Sequence, residues 1–288
     1  MPASIALIIA TFLWGSSFIA LKYAINIYDP AFVIFFRMLI TLLLCLMLWP
    51  WVKKFTYQQG DWKYLLSMSI AEPCLYYLFE GNAMKYTSAS QAGVLVSCFP
   101  LLVAVVAYFM LKEKVTKQLA IGFSFCIGGG VLLTIVSESS NHASNPALGN
   151  FLEFLAMICA AYYAVSVKKL STRYSPLALI TLQGLAGSIF FAPFLLFIDI
   201  PTTHDMAALA GIIYLGAFVT IGAYGMYNYA ITKVSVLTAA AFTNLIPIFT
   251  LFLSALILGE SLDVMQWFCI SLVFIGVYIS QKRTRKGL

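Results

Sequence analysis

The chain has 288 residues, of which 62% are hydrophobic and 10% charged, and it carries a formal net charge of +6. Soluble domains use about 45–50% apolar residues, so this composition and a mean hydropathy of +0.93 exclude an ordinary water-soluble fold. They point to an integral membrane protein, and the positive charge, spread through short connections, gives a nucleic-acid-binding surface no support.

Ten apolar runs follow one another, each long enough to cross a hydrocarbon core of ~30 Å at ~1.5 Å per helical residue. They cover 3–24, 30–51, 62–84, 88–111, 117–137, 148–168, 176–198, 206–231, 234–258 and 263–281. None alternates apolar with polar residues, which excludes a transmembrane β-barrel. The expectation is an all-α integral membrane protein of ten transmembrane helices forming one membrane domain. The first run lacks a basic segment before it and is read as a retained span, not a signal peptide.

Cationic residues in short loops stay on the cytoplasmic side. Fourteen of the seventeen lysines and arginines fall in the even-numbered loops and the C-terminal tail, among them Lys53, Lys54, Lys112, Lys114, Lys168, Lys169 and Arg173. Lys22 and Lys85 are assigned to the opposite side, and Arg37 lies within a span. Both termini are therefore expected in the cytoplasm. The tail "QKRTRKGL" reads as a stop-transfer anchor.

The six cysteines sit in apolar runs without C-x-x-C spacing, and both histidines sit in loops. No metal site or cofactor is expected from them.

An internal repeat is visible. Pro100, Glu113 and Gly129 recur as Pro247, Glu260 and Gly276 at a spacing of 147 residues, and the same spacing sets Lys22 against Lys169. Residues 1–138 and 148–288 then form two five-span halves. An odd number of spans makes the second half enter the membrane from the opposite side, the inverted arrangement common in secondary transporters, with a central cavity between halves.

The stretches "WGSSFIALKYA", "NAMKYTSASQAGVLVSCFPLLVAVVAYFMLKE" and its echo "NYAITKVSVLTAAAFTNLIPIFTLFLSALILGE" resemble the EamA family of the drug/metabolite transporter superfamily, over nearly the whole chain. The resemblance implies a transporter in a bacterial cytoplasmic (inner) membrane, not an enzyme, with a small-molecule substrate and a monomeric or homodimeric state. It also implies a cavity lined by spans 1, 3, 4, 6, 8 and 9, with spans 5 and 10 as packing or dimer-contact helices.

Charges inside a bilayer are expensive and face inward. Glu72 lies ten residues past Trp62, roughly 15 Å from the cytoplasmic boundary, near the midplane. Glu72, Tyr76 and Glu80 are spaced i, i+4, i+8 and share one helical face. Arg37 lies at the depth of Glu80, which predicts an Arg37–Glu80 ion pair, with Glu153 as a competing partner. One acid is left without a cationic partner, and Glu72 is the expected one. It either binds a substrate ammonium or exchanges a proton; the plainer alternative is a neutral carboxyl hydrogen-bonded to a carbonyl or tyrosine.

Pro73, Pro100 and Pro247 are expected to bend their helices, as hinges or as static kinks. Gln91, Gln183, Asn228 and Asn244 need polar partners or the cavity. Trp14, Tyr163 and Tyr227 are candidates for an aromatic wall around an amine. Glu113 and Glu260 read as helix caps or gate ties. The expected activity is movement of amino acids or related amines, by export, through alternating access. The alternative is uptake or exchange of an anionic or nucleotide-like metabolite; a membrane-embedded enzyme is disfavoured because no histidine lies in any span.

Overall fold

A computed structural model describes residues 1–48, 57–111, 117–137, 142–199 and 204–281. Lys53, Lys54, Lys112, Glu113, Lys114, the tail from Lys282 to Lys286 and the last part of the second run lie outside the described residues.

Ten helical segments appear among the described residues, and we label them in chain order. They are α1 (Ala3–Ile25), α2 (Pro30–Met47), α3 (62–86), α4 (89–111) and α5 (Lys117–Val136). Then come α6 (Pro146–Leu170), α7 (Pro176–Phe197), α8 (Met206–Ile231), α9 (Val236–Leu258) and α10 (Val264–Gln281). Seven of them, α1, α2, α4 and α6 to α9, are long and apolar enough to cross a membrane.

The helix starts are written in the sequence. Asp29 Oδ1 accepts from Ala31 N at 2.8 Å and Ser175 Oγ from Ala178 N at 3.3 Å, each followed by a proline whose missing N–H costs nothing in the first turn. Ser88 and Ser235 cap α4 and α9 in the same way, accepting from Gln91 N and Thr238 N. α6 begins at Pro146, two residues before the expected start, because Asn145 Oδ1 accepts from Leu148 N and supplies the cap.

Prolines break the helices where their rings meet the carbonyl four residues back. Pro100 follows a tight turn at Val96–Cys98, and Pro247 follows an interruption at Thr243 and Asn244. In α3 the regular helix stops at Ser69, and Glu72 has extended backbone angles (φ −148, ψ 118) immediately before Pro73. A residue preceding proline is pushed towards such angles. The spacing of Glu72, Tyr76 and Glu80 on one uninterrupted helical face is thereby corrected: the break lies between Glu72 and the other two, which share the helix Tyr76–Tyr86.

Packing in one half recurs in the other. α3 packs on α6 as α8 packs on α1, α4 packs on α6 as α9 packs on α1, and α3 meets α7 as α8 meets α2. α5 and α10 pair with each other at the edge. A Cβ on Gly129 would lie 2.7 Å from Val273 Cγ2 and 2.9 Å from Cys269 O, while one on Gly276 would lie 2.6 Å from Gly122 O and 2.8 Å from Cys126 N. Small residues permit this approach where lipid, unlike water, supplies little drive to bury apolar surface. Gly276→Val is expected to force the α5–α10 pair apart and to cost about 1–3 kcal/mol, read as a lower thermal midpoint in detergent.

Lys22 Nζ donates to Met84 O (2.6 Å) and Thr87 O (2.7 Å), and Lys168 Nζ donates to Ile231 O (2.7 Å) and Val234 O (2.8 Å). The lysine matching Lys22 is thus Lys168, not Lys169 as a single spacing of 147 requires. Lys169 instead lies over the Tyr64 ring at 3.7 Å. Asp29 with Ser175 and Pro30 with Pro176 show the same spacing of 146, while the later elements keep 147. One residue separates the two registers.

Candidate functional site

A cleft opens among seven of these helices. Trp14, Ser17 and Phe18 line it from α1, Arg37 from α2, and Glu72, Tyr76 and Glu80 from α3. Val96 and Phe99 of α4, Met157, Ala160, Tyr163 and Ala164 of α6, Tyr224 and Tyr227 of α8, and Thr243 and Ile246 of α9 complete it. The helices are the expected six with α2 added, because Arg37 reaches inward.

Arg37 is 2% exposed and bound on three sides. Its guanidinium carbon lies 4.2 Å from the Tyr77 ring centroid, its Nε donates to Thr220 Oγ1 at 3.0 Å, and its Nη1 lies 4.0 Å from Glu80 Oε2. Glu80 Oε1 also accepts from Tyr76 Oη at 2.6 Å. Glu80 therefore has a cation and a phenol.

Glu72 has no cationic contact among the described residues. Its Oε1 accepts from Tyr224 Oη, which in turn accepts from Tyr77 Oη at 3.2 Å. Tyr77 of α3 and Tyr224 of α8 are separated by the spacing of 147 seen in the sequence. Both belong to the tyrosines that the sequence places within spans, and the spacing that pairs them was the available signal for their contact.

Two polar atoms in the cleft wall have no hydrogen-bond partner: Trp14 Nε1 and Tyr227 Oη. Their rings are 5.0 Å apart between centroids, and Trp14 lies 5.2 Å from the Tyr224 ring. A buried donor left unpaired costs about 1–3 kcal/mol. Tyr163, 5.9 Å from Tyr224, donates to Gln183 Oε1 and accepts from Asn228 Nδ2.

Other sequence candidates lie elsewhere. Gln91 does not line the cleft: its Oε1 accepts from Thr87 Oγ1 (3.2 Å) and from Asn150 Nδ2 (3.0 Å) in a buried network below α4. The reason is that Gln91 occupies the first turn of α4, well before the cleft. Asn244 also stays outside the lining, donating to Ala241 O at the α9 interruption, with its Oδ1 buried and unpartnered. Glu153 is 0% exposed and both its carboxylate oxygens lack a partner, so it does not compete for Arg37. Lys22, counted from the sequence among loop charges, is 4% exposed within α1.

Glu260, near the end of α9, ties down the start of α4. Its Oε1 accepts from Ala89 N at 2.9 Å and its Oε2 accepts from Ser90 N at 2.8 Å and from Ser90 Oγ at 2.6 Å. Ser90 Oγ also lies 2.7 Å from Ser254 Oγ. At the related start of α9, Leu237 and Thr238 are exposed, whereas Ala89, Ser90 and Gln91 are all buried. Glu260→Ala is expected to cost about 1–2 kcal/mol, the value of a lost N-terminal cap, measured by thermal unfolding in detergent.

The EamA-like transporter family model matches the chain twice, over residues 1–135 and 147–281. The chain is 30% identical over 214 residues to the uncharacterized transporter YetK of Bacillus subtilis, an alignment covering 72% of this chain and 62% of that protein. An uncharacterized transporter of Archaeoglobus fulgidus is 26% identical over 272 residues, covering 93% of both chains. A crystal structure matches 99% of each chain with a TM-score of 0.73 at 12% identity, a likeness of fold alone. With apolar helices throughout, a cleft between repeated packing units and transporters as relatives, the chain is a multi-pass membrane protein and belongs to the EamA-like transporter family.

Proposed function

We propose that this protein is a secondary transporter that exports amino acids or related amines across the cytoplasmic membrane by alternating access. One observation carries the substrate class: Glu72, without a cation, shares the cleft with the partnerless donors Trp14 Nε1 and Tyr227 Oη. An acceptor for an ammonium and two donors for a carboxylate suit a zwitterion, and the aromatic faces favour a cation. Arg37 is committed to Glu80, Tyr77 and Thr220, which leaves an anionic substrate without a free cation among the lining residues.

Alternating access between two inverted halves, 1–138 and 148–288, is supported by the double family match and by packing that recurs at spacings of 146 and 147 residues. Repeats of this kind exchange conformations around a fixed central site. The unequal ends support it further, since Glu260 ties α4 to α9 on one side while the start of α9 is exposed on the other. With both termini in the cytoplasm, the exposed side is cytoplasmic, which fits the loading state of an exporter. Pro100 and Pro247, each after an interrupted turn, are the hinges of this reading.

Reconstituted protein should move labelled amino acids or polyamines between proteoliposome compartments, with transport altered by a pH gradient. Movement of labelled nucleosides or sugar phosphates in place of these would remove the substrate class.

A further inference from the structure

The tight turn of α4 separates two spaces. Val96 and Phe99 line the cleft, while Leu95 and Cys98, one residue away on either side, line a second hollow that shares no residue with it. α5 adds a stripe from Cys126 to Ile135, two residues in each turn, with Gly130 and Val131 at its middle, and α6 adds Phe151 and Phe154. Such spacing puts the stripe on one face of α5. The hollow opens outward, because Ile135 is 71% and Phe151 58% exposed, whereas Leu95 and Cys98 at its floor are 5% and 2% exposed. It is a groove between α4, α5 and α6 that faces the surroundings of the bundle.

Its lining suits hydrocarbon and little else. No charged side chain lines it. Thr134 Oγ1 donates to Gly130 O at 2.9 Å and accepts from Asn150 Nδ2 at 3.1 Å, and Cys126 Sγ donates to Val273 O at 3.3 Å, so these polar groups are already committed. Cys98 acts as a small hydrophobe. The dimensions fit as well. Ala147, the second residue of the membrane-crossing helix α6, lies at one end of the groove, which places that end at the membrane boundary. Along α5 the groove runs nine residues, from Ile135 back to Cys126, roughly 13 Å at ~1.5 Å per residue. One leaflet supplies about half of a hydrocarbon core of ~30 Å. We propose that one acyl chain of a phospholipid seats in this groove, running inward from the boundary along α5 and packing on the side of the α4 turn that faces away from the cleft.

The sequence makes room for the chain in one half and not in the other. At the spacing of 147, Leu245 stands where the groove has Cys98, Val277 where it has Gly130, and Phe242 where it has Leu95. A Cβ on Gly130 would meet Leu95 Cδ2 at 3.2 Å and nothing else within 4 Å. A larger side chain at this position therefore enters the groove and displaces only a flexible leucine tip. Left empty, the groove would forfeit dispersion contacts along its walls; a seated chain restores them. It also braces the interrupted turn before Pro100 from behind, since Leu95 and Cys98 touch the chain while Val96 and Phe99 face the cleft.

The test needs no substrate. The full-length protein is reconstituted into vesicles of equal parts phosphatidylethanolamine and phosphatidylglycerol, doped with a phosphatidylcholine that carries a photoactivatable diazirine on one acyl chain, and the adducts are mapped by peptide mass spectrometry. Lipid that merely surrounds the bundle marks exposed residues such as Phe268 of α10, which is 55% exposed. A seated chain should in addition mark Leu95 and Cys98. Gly130→Val should remove the adducts on Leu95 and Cys98 and keep those on Phe268. Cys98→Leu, which fills the groove from α4, should remove the Leu95 adduct in the same way, so either variant suffices if the other fails to fold. Adducts confined to exposed residues in the wild type reduce the groove to ordinary lipid-facing surface and overturn the proposal. So does persistence of the Leu95 adduct in a folded Gly130→Val protein. Cross-links from Ile135 or Phe151 to a second copy of the chain, with Leu95 unmarked, would put another protomer in the groove and equally overturn it.

Discussion

Arg37→Leu is expected to be the most destabilising single change in the bundle, at about 3–5 kcal/mol, the cost of leaving one member of a buried ion pair uncompensated. The loss has three parts. Glu80 keeps only the Tyr76 hydroxyl, the Tyr77 ring loses the guanidinium 4.2 Å from its centroid, and Thr220 Oγ1 loses a donor at 3.0 Å. In detergent the thermal midpoint should fall on the order of 10 °C. Adding Glu80→Leu should recover most of the loss, because removing both members of a buried pair is far milder than removing one. A double variant as unstable as Arg37→Leu alone would show that Arg37 acts by filling space and not by balancing charge.

Glu72→Gln should leave stability nearly unchanged, because glutamine keeps an acceptor for Tyr224 Oη, but it should cripple recognition of amines. A hydrogen bond to a charged group contributes about 1.5–3 kcal/mol, so binding should weaken roughly 10–100-fold. Titration of amino acids and polyamines into wild type and variant measures this directly. Tyr224→Phe, which keeps the carboxylate but frees it, should weaken binding less. Equal affinity in wild type and Glu72→Gln would move the substrate site away from Glu72.

The candidate site was legible in the sequence to different depths. Glu72, Glu80 and Arg37 stood out because charges within apolar runs are costly and must be turned inward, and depth along the helices brought Arg37 and Glu80 together. The polar amides were harder. Gln91, Asn244 and Gln183 are chemically alike, yet Gln91 is held by Thr87 and Asn150 and Gln183 by Tyr163. Which of them faces a cleft depends on rotation about the helix axis, and in spans apolar on every face no periodicity records that rotation. Lys22, at the end of the first apolar run, counts in the sequence only as a charge on the side opposite the cytoplasm; the carbonyls that receive it, on Met84 and Thr87, are more than sixty residues away in the chain.

The repeat illustrates the same division. The spacing of 147 was legible from Pro100, Glu113 and Gly129 with their counterparts, whereas the shift to 146, written in Pro30 and Pro176, became recognisable from the acceptors of Lys22 and Lys168. By itself the sequence determined that the chain is helical and membrane-embedded, where its helices start and bend, and which charges demand an explanation, because hydropathy, caps and prolines act within a few residues. Tertiary structure decided the partners that depth along a helix could not assign: Tyr224 goes to Glu72, and Glu153 has no hydrogen-bond partner. Partnership between helices is set by how closely small residues such as Gly276 let their backbones approach, and that distance is a property of the packed bundle.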